Sequence, residues 1–281
     1  MMRDAVDTKD LHAVEQVALG VYRGLFAERN EAFIPLAFDW VNASFNGKLP
    51  GYLAIDARYH DFEHTLQGTL CFVRLLQGRG RADVEPVLTR EMFELGLLAI
   101  LFHDTGYLKK REDRSGTGAK YTLVHVQRSM EFAAEFLGCK GYTPEQVSAV
   151  QNMIRCTGVG TDLAEIPFKS AIERCVGYAL GTADLLGQMA AKDYIDKLPI
   201  LYDEFKEAAG SCEHPNPLID FSSPRELMGS TESFWLEYVL PKIKNDFGGI
   251  YGFLEDGEGR NPYLERVQTN LDRLKRDNAV S

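Results

Sequence analysis

Apolar residues recur at helical spacing along most of the chain, and alternating strand patterns are nearly absent. Across 11–28 they fall at 14, 17, 18, 21, 22, 25 and 26, one stripe of an amphipathic helix. A second helix is expected over 31–45, before Asn46-Gly47 and Pro50-Gly51. A third starts near His60 and ends at the glycines Gly78 and Gly80. A fourth, 86–104, contains EMFELGLLAILFHD and is apolar nearly all round in its second half, which predicts the buried central helix. The charged, glycine-containing run 109–120, KKREDRSGTGAK, reads as an exposed loop. Helical patterns resume at 122–137. Thr143-Pro144-Glu145-Gln146 then opens a further helix, with Thr as N-cap, Pro at the first position and Gln at the third. It ends near Thr157-Gly158, and helices follow over 168–189, 193–209, 230–245 and 261–277. The breaks are a proline- and serine-rich stretch at 211–224 and a glycine-rich one at 247–259. No internal repeat occurs. The pattern predicts one all-α domain, with terminal helices packed around a central bundle.

Composition narrows the class. The 281 residues suffice for a hydrophobic core without staples, and 45% hydrophobic with 26% charged residues is ordinary for a globular protein. No run of about 18 apolar residues suggests a membrane span. The start, MMRDAVDTKDLHAVEQ, lacks the apolar core of a signal peptide, which points to the cytoplasm. The formal charge of −10 disfavours coating of nucleic acid, and a protein this acidic acting on a phosphorylated substrate needs a local correction of sign, most simply a cation. Cys71, Cys139, Cys156, Cys175 and Cys212 are odd in number and scattered, so they read as thiols in a reducing compartment rather than a disulfide framework or zinc site.

Six histidines occur, and the chemistry gathers at four places. In YHDFEH, His60 and His64 are i,i+4 neighbours if both lie on a helix. His103-Asp104 ends the most hydrophobic helix, where a polar pair must be satisfied. Asp184 sits in the apolar stretch GYALGTADLLGQMA, and His125 opens an amphipathic helix. Together the histidines and aspartates form a nitrogen–oxygen set suited to Mn, Fe, Ni, Co, Zn or Mg. Gln188, i+4 from Asp184, points to the same pocket, to meet a substrate or a neighbouring backbone group. Lys109, with Lys110 and Arg111, either attracts a phosphate or lies in a solvated loop, and Arg58 and Arg155 are comparable candidates. No P-loop, GxGxxG before a helix, or GxSxG is present.

His64, His103-Asp104 and Asp184 resemble the H…HD…D signature of the HD-domain metal-dependent phosphohydrolases. YHDFEHT is similar to the YHNxxHA motif of the cyclic-nucleotide phosphodiesterase branch, and TADLLGQ to the segment carrying its last metal aspartate. The resemblance spans about 58–190, leaving 1–57 as N-terminal helices packed on that core and 191–281 as a C-terminal helical extension. It implies an HD-type bundle and a divalent cation held by His64, His103, Asp104 and Asp184. It also implies attack of metal-bound water on phosphorus, with His60 and Asp104 as the catalytic pair, His60 protonating the leaving oxygen. The chain departs from the pattern at Asp61, at Gln67, at Tyr107 and at Ile154-Arg155. One metal site is therefore implied and a second left open, His125 being either a ligand of that second site or a pocket wall. The expected activity is hydrolysis of a phosphomonoester or phosphodiester, of a nucleotide in the first instance. The partner is a small phosphorylated molecule, with a homo-oligomer left open. The competing readings are a catalytically silent metal- or nucleotide-binding sensor and a structural helical protein with incidental histidines.

Overall fold

A computed structural model describes residues 6–211, 216 and 219–280 of the chain. Part of the expected 211–224 loop, with Cys212, lies outside the described residues. The architecture is all-α. Among the described residues the only β contact is an isolated bridge between Tyr52 and Lys110.

Helix α1 (Leu11–Leu25) starts where the Asp10 carboxylate accepts the His12 N–H, and it buries Val14, Ala18, Val21 and Tyr22. α2 (Phe33–Phe45) follows. α3 (Phe62–Arg81) begins two residues later than the sequence pattern predicts. The Asp61 carboxylate accepts the His64 N–H and makes Asp61 the N-cap, so His60 precedes the helix. The expectation that His60 and His64 share a helical face is therefore corrected. α4 (Arg90–Phe102) is buried without interruption from Leu95 to Phe102, the central helix that its composition predicts. It starts later than residue 86 because Thr89 is its cap, accepting the Met92 N–H.

α5 (His125–Cys139) and α6 (Pro144–Arg155) flank α4, and α6 carries the full Thr143–Gln146 capping box. α7 (Ala171–Met189) is capped by Ser170 and packs along α3. α8 (Tyr194–Gly210), α9 (Pro224–Ser233) and α10 (Pro262–Val280) complete the bundle. α9 begins well before the expected residue 230, because Ser223 caps it and Pro224 occupies its first turn. It runs on into π-helical turns at Phe234–Val239 and Lys242–Asp246.

One apolar cluster joins α1, α3, α4, α7 and α10, from Val14 to Leu274, so the N-terminal helices, the central segment and the C-terminal extension share a core. Two glycines set the spacing that matters. A Cβ on Gly187 of α7 would lie 2.9 Å from the backbone of Gln67 on α3, so only glycine permits this approach. A Cβ on Gly106 would lie 2.0 Å from the carbonyl oxygen of His125, so the turn after α4 sits directly against the start of α5. Cys71, Cys139, Cys156 and Cys175 are free thiols. No helix among the described residues is long and apolar enough to cross a membrane.

Candidate metal centre

Three segments deliver the polar side chains to one point, and a fourth holds them there. His64 lies in the first turn of α3, held by the Asp61 cap. His103 and Asp104 follow the last residue of α4, where the helix stops and Thr105 Oγ1 donates to the Phe102 carbonyl at 2.7 Å. Asp184 projects from α7, three residues before the Gly187 contact with α3. α5 clamps the turn: Ser129 Oγ donates to the His103 carbonyl and accepts the Gly106 N–H, and Arg128 donates to the Gly106 and Leu108 carbonyls at 2.7 and 2.6 Å.

His64, His103 and Asp104 are buried and offer ligand atoms within 4.8 Å of one another. Asp104 Oδ2 stands 3.3 Å from both His64 Nε2 and His103 Nε2. Asp184 Oδ1 stands 3.3 Å from His64 Nε2 and 3.4 Å from His103 Nε2. His103 Nδ1 faces the Ile100 carbonyl at 2.7 Å, to which it donates, so the neutral ring presents a lone pair at Nε2. Yet His103 Nε2 and Asp104 Oδ2 are fully buried and, beyond these ionic contacts, neither has a hydrogen-bond partner. Buried polar atoms are normally satisfied, and a shared cation satisfies a lone pair and a carboxylate together. The donor set therefore fits a divalent metal ion.

The electrostatics agree with a site of concentrated negative charge. Burial opposes the charged form of His103, but Asp104 and Asp184 outweigh it and raise the imidazole to about 9. Burial likewise opposes ionisation of Asp184 and Asp104, and the surrounding histidines hold both below the usual carboxylate range. His125 is depressed by burial, more than the Asp104 charge restores. Its Nδ1 faces the Thr122 carbonyl at 2.5 Å, and its Nε2 lies 3.8 Å from Asp104 Oδ1, outside the compact group.

His60 reaches the same centre from the turn before α3, its ring centroid 5.4 Å from that of His64. Its Nδ1 is 2.6 Å from Glu204 Oε2, and Glu204 Oε1 accepts the Tyr59 N–H at 2.7 Å. Burial disfavours the His60 cation, but the Glu204 carboxylate beside it raises the pKa overall. Tyr107 stacks with near-parallel planes on two histidines, 4.6 Å from His60 and 4.9 Å from His125, whose own rings are 5.9 Å apart. Sequence reasoning missed Glu204. Its signal was a carboxylate on the apolar stripe of α8, beside Leu201 and Phe205.

A cavity of about 920 Å³ opens onto His60, His64, Asp104, His125 and Asp184. Gln188 lines it, although its Nε2 bonds the Asp184 carbonyl at 3.2 Å and its Oε1 takes the Tyr59 hydroxyl at 2.8 Å. Arg155 lines it from the end of α6. Lys109 does not: it is buried, its ammonium held by Asp56 at 2.9 Å and the Gly116 carbonyl at 2.6 Å, which corrects both its phosphate-binding and its solvated-loop reading. Arg58 is exposed and also lies off the cavity, and Lys110 rests on the Tyr52 ring.

Fold and site together define an all-α bundle protein with a buried histidine–aspartate group able to hold a cation at a large cavity. The chain belongs to the Npun_R2479-like family, whose model matches residues 111–260, more than half its length. The matched region carries His125, Arg155, Asp184 and Glu204, and His60, His64, His103 and Asp104 lie upstream of it. No curated protein matches the chain.

Proposed function

We propose that this protein is a metal-dependent phosphohydrolase of the HD type, acting on a phosphate ester. The observation that carries the reading is the pair of buried ligand atoms without a hydrogen-bond partner, His103 Nε2 and Asp104 Oδ2, beside His64 and Asp184, with Asp104, His64 and Asp184 lining the cavity. His64, His103, Asp104 and Asp184 would hold one divalent cation. When bound, such a cation supplies Lewis-acid chemistry, acidifying water and offsetting phosphoryl charge.

The chain's own groups supply the rest. Glu204 orients His60 through Nδ1 and favours its protonated form, so the ring's other nitrogen can deliver a proton to a leaving oxygen. Tyr107 stacks on the His60 ring and limits its rotation. Gln188 holds the Tyr59 hydroxyl beside the pocket, and Arg155 adds positive charge at its wall. His125 donates through Nδ1 to the Thr122 carbonyl and forms part of the wall near Asp104.

The test is elemental analysis of protein loaded with Mn, Mg, Fe, Ni, Co or Zn, followed by a screen of phosphomonoesters and phosphodiesters for phosphate release. Stoichiometric metal with turnover is the expected result. A protein that retains no metal overturns the reading. Full metallation with silence on every ester makes it a binding sensor instead.

A further inference from the structure

We infer that the ester's organic half is apolar, a hydrocarbon chain or ring rather than a nucleoside; this rests on the phosphohydrolase reading above. The first observation is the origin of the wall. Tyr194, Leu198, Leu201 and Phe205, at i, i+4, i+7 and i+11 of α8, all line the cavity. The same helix carries Glu204, which holds His60. The carboxylate that holds the proton-donating His60 thus shares a helix with the apolar wall, and the alcohol departs along that wall. Phe221 extends the surface by stacking on Phe205, with centroids 6.0 Å apart, and Phe234 and Tyr238 add a second stacked pair at 5.2 Å.

The second observation is that four hydroxyls and both amides of the wall have their donors engaged, the buried Tyr107 hydroxyl beside His60 being without a hydrogen-bond partner. Thr122, Thr157, Ser230 and Thr231 donate to the carbonyls of Ala119, Ile154, Leu227 and Leu227, at 2.6, 2.9, 2.8 and 3.1 Å. The wall amides are engaged too, Gln127 by Glu131 and Gln188 by Tyr59 and its own helix. A site that reads a nucleobase offers unspent amides or hydroxyls, because discrimination comes from hydrogen bonds the wrong ligand cannot make.

The mouth repeats the message. Val124, Val159 and Phe234 are 49%, 51% and 39% exposed at its edge, three of the six exposed large hydrophobics among the described residues. Arg155 is the one Lys or Arg among the lining residues described, against Asp162, Glu165 and Glu237. That balance suits a single phosphate at the cation and disfavours a polyphosphate. In hydrolysis the bond from water oxygen to phosphorus forms and the bond to the alcohol oxygen breaks. His60 gives its proton to that oxygen and regains one from the attacking water over the cycle, leaving phosphate and a free apolar alcohol.

Manganese-loaded protein is assayed with ethyl, butyl, hexyl, octyl and decyl phosphates and with nucleoside monophosphates. Binding of the matching alkylphosphonates, which are not hydrolysed, is measured by calorimetry. Each added methylene should raise kcat/KM and phosphonate affinity by up to about fourfold, the equivalent of ~0.8 kcal/mol per buried CH₂. Phe234→Ser, at the exposed rim, should weaken decylphosphonate about fivefold more than ethylphosphonate. Hydrolysis that favours nucleotides, or ignores chain length, overturns the inference and leaves the phosphohydrolase reading standing. No hydrolysis with chain-length-dependent phosphonate binding does the reverse. Neither effect sinks both.

Discussion

At the scale of single residues, the centre is defined by what each side chain has already spent. His103 commits Nδ1 to the Ile100 carbonyl, so only Nε2 remains for a ligand, and Asp104 Oδ2 beside it has no hydrogen-bond partner. His103→Ala, Asp104→Ala and Asp184→Ala should each purify with far less than the parent's metal, read by elemental analysis after growth with added manganese. Unchanged stoichiometry in a variant removes that residue from the ligand set. Glu204 acts through His60, so the two should behave as one unit. His60→Ala should lower kcat on an unactivated ester by roughly 10²–10⁴-fold with metal retained, and Glu204→Gln by a smaller factor. The double variant should be no worse than His60→Ala, because the second loss removes nothing further. An aryl phosphate with a good leaving group should suffer less in both. Multiplying losses would separate the two residues. Glu204 was legible as a carboxylate on an apolar stripe, but its partner was not: His60 is 144 positions away in the chain.

At the scale of elements, glycine contacts decide how closely ligand-bearing segments approach. Gly187 lets α7 lie against the Gln67–Gly68 backbone of α3, which brings Asp184 to His64. Gly187→Ala should destabilise the fold by about 1–3 kcal/mol in urea unfolding and weaken metal binding, although no ligand is altered. Gly20→Ala on the exposed face of α1, where an added Cβ meets nothing within 4 Å, should have the opposite sign, stabilising by about 0.5–1 kcal/mol. Equal effects at the two sites would contradict the packing argument. Helix starts were readable wherever a cap stood before a periodic run, as at Thr143-Pro144. The same grammar stands at Ser223-Pro224, hidden in a stretch whose prolines and serines read as loop. The π-helical turns at Phe234–Val239 leave the apolar periodicity nearly unchanged, so the pattern predicted an ordinary helix there.

At the scale of the whole molecule, the centre joins α3, the end of α4 and α7, with α5 clamped alongside. A cation shared by those segments binds the folded chain and not the unfolded one. Saturating manganese at about 100 times its Kd should therefore raise unfolding stability by ~2.7 kcal/mol, and a chelator should remove the gain. A urea midpoint indifferent to both would sink the metal centre. The order of helices, the buried character of α4 and the identity of His64, His103, Asp104 and Asp184 as candidates were determined by the sequence alone. Apolar periodicity, caps and a polar pair ending an apolar helix are local properties, and they survive in one dimension. The tertiary structure alone decided that His60 precedes its helix and pairs with Glu204, that Lys109 is buried against Asp56, and that α8, Phe221 and the π-helical turn after α9 bring apolar side chains to the cavity. Each of these depends on which distant segments meet, and on which polar groups have found partners by the time they do.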